Sequence, residues 1–140
     1  MAEVIWDNSL LIGVGLIDDQ HKIWIDKFNK LASAVECRQG PYQISQTLSF
    51  LIDYTDLHFS TEEKHMAASS YHGLAAHKKK HDDLKDTLNE LVRDYNEEGA
   101  YNALADHINN FLAKWLIDHI KQTDQKFGAF LREKKIEIKE

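Results

Sequence analysis

Apolar residues recur at steps of three and four along most of the chain, the spacing that lines one face of an α-helix. The first stripe is Ile17, His21, Trp24, Phe28, Leu31 and Val35, which predicts a helix from about Asp18 to Cys37. Asp18 or Asp19 is placed to cap it, because a short carboxylate accepts hydrogen bonds from the free N–H groups of a first turn. Arg38-Gln39-Gly40-Pro41 is expected to end it, with glycine at the C-terminal cap and proline opening the next helix. A second stripe, Ile44, Leu48, Leu51, Thr55, His58, Glu62 and Met66, predicts a helix over about 41–66. A third, Leu74, His77, His81, Leu84, Leu88, Leu91 and Tyr95, predicts one over about 73–95, closed by Asn96-Glu97-Glu98-Gly99. A fourth, Leu104, Ile108, Phe111, Trp115 and His119, predicts one over about 101–122. Phe127, Phe130 and Leu131 form a last short apolar face ahead of a charged end.

Helices of about 20 residues joined by short connections run antiparallel to their neighbours. The expected fold is all-α: an up-down-up-down antiparallel four-helix bundle over 18–122. An irregular N-terminal arm, 1–17, precedes it, and a short C-terminal helix with a charged tail, 123–140, follows, all in a single domain. Trp6, Leu10, Leu11 and Ile12 lack a clean helical period and are placed as an arm over the bundle.

Composition narrows the class. The 140 residues suffice for one domain with a continuous core. A net charge of −6, with no basic tract, argues against binding nucleic acid or an anionic membrane. No apolar run approaches a bilayer span, and the acidic N-terminus lacks the basic start of a secretory signal. The single cysteine, Cys37, fits a reducing compartment, so a cytoplasmic setting is expected; the chain is also expected to be a monomer. The excess is in histidine, with 8 residues.

Six titratable residues interrupt the apolar stripes at bundle mid-height: His21, His58, Glu62, His77, His81 and His119. Burying five imidazoles and a carboxylate is costly unless something pairs with them, and a metal does so. His58 and Glu62 are four apart, as are His77 and His81, so each pair projects from one helical face. Asp124 follows His119 by five residues. A straight α-helix would rotate it roughly 140° away, so Asp124 converges only if the helix bulges near Gln122-Thr123. With Asp124 there are seven candidate ligands, too many for one metal. Two metals sharing two carboxylates fit better. Three histidines (His77, His81, His119) serve one metal and two (His21, His58) the other, with Glu62 and Asp124 bridging. One bridging solvent oxygen then saturates the first metal and leaves an open position on the second, where a small ligand binds. The residues alone leave iron, zinc, copper and manganese open.

This constellation resembles the hemerythrin family, in particular its bacterial members. The matching pieces are Ile17-Asp-Asp-Gln-His21-Lys, His58-Phe-Ser-Thr-Glu62-Glu63, His77-Lys-Lys-Lys-His81, Trp115-Leu-Ile-Asp-His119-Ile and Asp124. They span the chain from Trp6 to about Leu131. The resemblance implies two iron ions in a non-haem centre that binds O2 reversibly at the two-histidine iron. It also implies a pocket lined by Phe59, Trp115 and Leu116, and an oxygen-consuming enzyme as recipient. His65 and His72 depart from the usual pattern; His65 is expected at the rim, His72 in a loop and His107 on a helix surface.

Three rivals are weaker. A ferritin-like di-iron oxidase needs a Glu-x-x-His pair on each of two helices, and only Glu62 to His65 supplies one here. A zinc protease needs a glutamate base inside His-x-x-x-His, where this chain has lysines. A sensor or iron-handling role on the same fold remains an alternative to a non-enzymatic carrier.

Overall fold

The computed structural model describes residues 3–138. Helix α1 runs Gly15–Glu36, α2 Pro41–Ala68 and α3 Leu74–Glu98. The last rod comprises α4 (Tyr101–His107), α5 (Ala113–Asp118) and α6 (Gln125–Glu133). Two π-helical segments, Ile108–Leu112 and His119–Asp124, join them, and the junctions keep right-handed helical backbone angles. The chain therefore forms four antiparallel rods, with α1 against α2, α2 against α3, and α4 against both α1 and α3. The sequence places the end of the fourth helix near Gln122; instead the rod continues through α6 without a break.

The π segments explain how one rod stays buried for so long. From Leu104, every fourth residue faces the core: Ile108, Leu112, Leu116, Ile120, Asp124 and Gly128. In a pure α-helix each step of four overshoots a turn by about 40°, so six steps would drift by about 240°. The wider i→i+5 turns absorb that drift. They also overturn one expectation: Phe111 is 42% exposed, and Leu112 takes its inward place.

Two expected caps differ as well. Helix α1 begins before Asp18, with no side-chain cap. Asp18 is buried and reaches back over the arm, accepting hydrogen bonds from the Ile12 and Gly13 N–H groups at 2.8 and 3.2 Å. Gly40 does not end α1; it precedes Pro41 at the start of α2. Arg38 takes the left-handed position (φ 50°), and the Gln39 N–H closes the end on the Ala34 carbonyl at 3.0 Å. Gly99, with φ 63°, closes α3 as expected.

The arm is an ordered strap. Val4 exchanges two 2.8 Å hydrogen bonds with the Asn29 side chain, and Leu10, Ile12 and Val14 are buried. Gln125 donates to the Ser9 and Leu11 carbonyls, and Arg132 to that of Ile12. A Cβ on Gly128 would stand 2.4 Å from the Ile12 carbonyl oxygen, so only glycine allows the arm to lie so close. Beyond α6 the charged end is non-helical, with Ile138 packed against the core; residues 139–140 lie outside the described range.

Candidate metal centre

Seven side chains from all four rods meet at the middle of the bundle. His21 comes from α1, His58 and Glu62 from α2, His77 and His81 from α3, and His119 and Asp124 from the ends of the second π segment. None is more than 4% exposed. The bulge that Asp124 required is this segment: i→i+5 pairing stacks residues five apart as an α-turn stacks residues four apart.

Asp124 lies at the centre. Its Oδ2 is 2.9 Å from His21 Nε2, and its Oδ1 is 2.8 Å from His77 Nε2 and 3.1 Å from His119 Nε2. Glu62 Oε1 is 3.3 Å from His81 Nε2 and 3.4 Å from His58 Nε2. These atoms fall into two sets in which each ligand atom lies within 4.8 Å of every other. One set is Glu62, His77, His81, His119 and Asp124; the other is His21, His58, Glu62 and Asp124. The two carboxylates belong to both.

The donor chemistry fits a pair of cations. Both oxygens of Glu62 and of Asp124 are buried without a hydrogen bond, as are the Nε2 atoms of His21, His58 and His77. Close approach without hydrogen bonding is the arrangement of lone pairs aimed at a common point, and unsatisfied buried polar atoms are otherwise rare. Burial, with the neighbouring imidazoles, holds His58 and His81 below the ordinary imidazole range. Burial does the same to His119, while Asp124 pulls the other way. Such rings stay neutral, the form that binds metal. Burial and then the charge of Asp124 push Glu62 well above the carboxylate range. Burial alone would raise Asp124 too, but His119, with His21 and His77, holds it well below.

Aromatic rings wall one side. Phe59 is buried and stacks on His81 at 3.7 Å between centroids, and Trp115 stacks on His119 at 4.5 Å. Trp24 lies 5.0 Å from the His58 ring and meets Phe59 edge to face at 5.4 Å. Leu116 is buried, while Trp115 is half-buried beside a cavity of about 320 Å³ that also touches Lys80, Phe111, His119 and Thr123. His65 and His107 are half-buried, His72 is exposed, and none joins either ligand set. Three residues escaped the sequence reading: Trp24 as a site wall, and Gln20 and Glu63, which hydrogen-bond ligand histidines. The available signal was adjacency, since Gln20 precedes His21 and Glu63 follows Glu62.

The hemerythrin HHE cation-binding domain matches residues 12–131. The chain belongs to the hemerythrin family. It is similar to bacteriohemerythrin of Methylococcus capsulatus, with 34% identity over 132 residues that cover 94% of this chain and 98% of that protein. Similarity extends to myohemerythrin of Theromyzon tessulatum, 30% identical across 90% of this chain and 92% of that one. A crystal structure of wild-type hemerythrin superposes with a TM-score of 0.77 at 30% identity, covering 90% of this chain and 95% of its own. Hemerythrin domains bind a di-iron centre, and the two carboxylate-sharing ligand sets are suited to hold one.

Proposed function

We propose that this hemerythrin carries, stores or delivers O2 at a di-iron centre held by His21, His58, Glu62, His77, His81, His119 and Asp124. One observation carries the assignment: two sets of buried ligand atoms that share Glu62 and Asp124. When bound, ferrous iron supplies the electrons that reversible O2 binding requires.

The chain's own residues do the rest. Five neutral imidazoles and two carboxylates replace water around the cations, and the carboxylates offset part of their charge in the core. His77, His81 and His119 join the shared carboxylates as five donor residues; His21 and His58 make only four. The four-donor side has more room for a small ligand and is the proposed O2 side. Phe59, Trp115 and Leu116 are the proposed pocket lining, with Trp24 behind them. Apolar walls keep out water that would bring protons to the bound ligand.

A carrier, not an enzyme, is the reading favoured by the histidine-rich donor set, which leaves little open coordination for a substrate. The exposed thiol Cys37 supports a cytoplasmic setting, and among the described residues no helix is long and apolar enough to cross a membrane. Delivery as a monomer to an oxygen-consuming enzyme completes the proposal. Absorption spectra of the reduced protein before and after air test it. A new band that disappears on deoxygenation, with about two irons per chain, is expected. One iron per chain, or no oxygen-dependent band, overturns it.

A further inference from the structure

The five imidazoles of the centre are not held alike. His58 Nδ1 lies 2.9 Å from Gln20 Oε1, and His81 Nδ1 lies 2.8 Å from Glu63 Oε2. The Nδ1 atoms of His21, His77 and His119 are buried with no hydrogen-bond partner. Each half of the centre therefore has one braced ring, and the two braces differ in charge.

A chain of hydrogen bonds settles which way each proton points. Thr61 donates its only hydroxyl proton to the Leu57 carbonyl at 2.9 Å. It must then accept from Gln20 Nε2, at 3.4 Å. That turns Gln20 Oε1 toward His58, so His58 Nδ1 donates and its Nε2 lone pair faces the other ligands. Glu63 as a carboxylate only accepts, so His81 Nδ1 donates to it and His81 Nε2 is likewise free to ligate. Each brace is the chain neighbour of a ligand: Gln20 on α1 beside His21 secures a ring on α2, and Glu63 on α2 beside Glu62 secures one on α3.

We propose that Gln20 and Glu63 are positioning residues that fix the tautomers of His58 and His81 and make the two halves of the centre electronically unequal. A carboxylate polarises the Nδ1–H bond more than an amide does, so His81 is the stronger electron donor. The four-donor side is thereby paired with the more weakly donating ring, and the five-donor side with the stronger. The proposal rests on the ligand assignment above.

The test uses the iron-loaded protein and three near-isosteric variants, Glu63→Gln, Gln20→Glu and Thr61→Val. Iron per chain, the rate of iron release to a chelator and the midpoint potential of the iron couple are measured together. Glu63→Gln is expected to raise the potential and Gln20→Glu to lower it, each with two irons retained. Thr61→Val changes no charge but frees the Gln20 amide to flip, and is expected to speed iron release about tenfold, the low end of losses seen when such outer partners are removed. Potentials that move together, or not at all, overturn the electronic inequality. Parental release from Thr61→Val overturns the fixed tautomer, because a field effect alone leaves that variant unchanged. A parent protein without iron overturns the ligand assignment itself.

Discussion

Asp124 Oδ2 sits 2.9 Å from His21 Nε2, joining the last rod of the bundle to the first, and the π-helical turn beginning at His119 makes that contact possible. Adding one residue to the turn should abolish it. Inserting an alanine after Thr123 places Asp124 six residues from His119, one more than the wide turn stacks, and is expected to rotate it by about 100° relative to its neighbours upstream. The variant should keep most of its helical circular dichroism and lose bound iron. Parental iron content would show that the wide turn does not place Asp124.

Glu62 and His21 should differ in importance. Glu62 belongs to both ligand sets, His21 to one. Glu62→Ala removes a donor from both sides and leaves positive charge unpaired in the core, a change of the kind that costs about 3–5 kcal/mol. Water can take the place of one imidazole. Iron analysis after gel filtration should find Glu62→Ala nearly empty and His21→Ala largely loaded. Equal retention counts against a shared carboxylate.

Leu116 is 1% exposed and lies three residues before His119. Leu116→Ala opens a gap that costs about 2–5 kcal/mol and admits water. Iron content should stay near two, while the oxygen-dependent band decays faster in air at fixed pH. His65→Leu should leave the decay unchanged, since His65 belongs to neither ligand set. Decay of Leu116→Ala at the parental rate would make Leu116 a packing residue only.

The metal-free protein should lose stability as pH falls below about 6.5, the imidazole reference value. His58, His81 and His119 are all held below that value in the fold, so the unfolded chain binds more protons there. Stability then rises with pH, by up to about 1.4 kcal/mol per pH unit for each ring. Glu62, raised in the fold, opposes one ring above its reference pKa; Asp124, lowered, matters only in more acidic solution. Denaturant unfolding of the metal-free protein from pH 7.5 to 5 should show a net fall toward acid. Iron at about a hundred times its dissociation constant should add about 2.7 kcal/mol, or roughly 6–11 °C in Tm at pH 7. A flat pH profile, or equal melting with and without metal, would contradict a buried ligand cluster.

The clustering of the candidate ligands is legible because helical spacing is a strong constraint: His58 with Glu62, and His77 with His81, share faces whatever the rest of the chain does. The antiparallel bundle followed from short connections for the same reason. The fourth rod was harder. A stripe at steps of four reads equally as a drifting α-helix or as one corrected by wide turns, and only tertiary packing decides. Hence the stripe puts Phe111 inward where Leu112 belongs and ends the rod too soon. Asp18 reads as a cap because acids often are; its true partners, the Ile12 and Gly13 N–H groups, exist only once the arm has folded back. Gln20 and Glu63 carry no pattern of their own, since their partners lie across helix boundaries.

The arm grips both ends of the His21–Asp124 contact. Asp18, three residues before His21, holds the Ile12 and Gly13 backbone. Gln125, one residue after Asp124, holds the carbonyls of Ser9 and Leu11. The strap and the candidate ligands thus share two short lengths of backbone, and any coupling between them acts equally in both directions. Were filling the site to favour the seated arm, an arm peeled away would loosen the grip on the metal by the same factor. The surface strap is thus tied down at the two points of backbone that carry the buried His21–Asp124 contact.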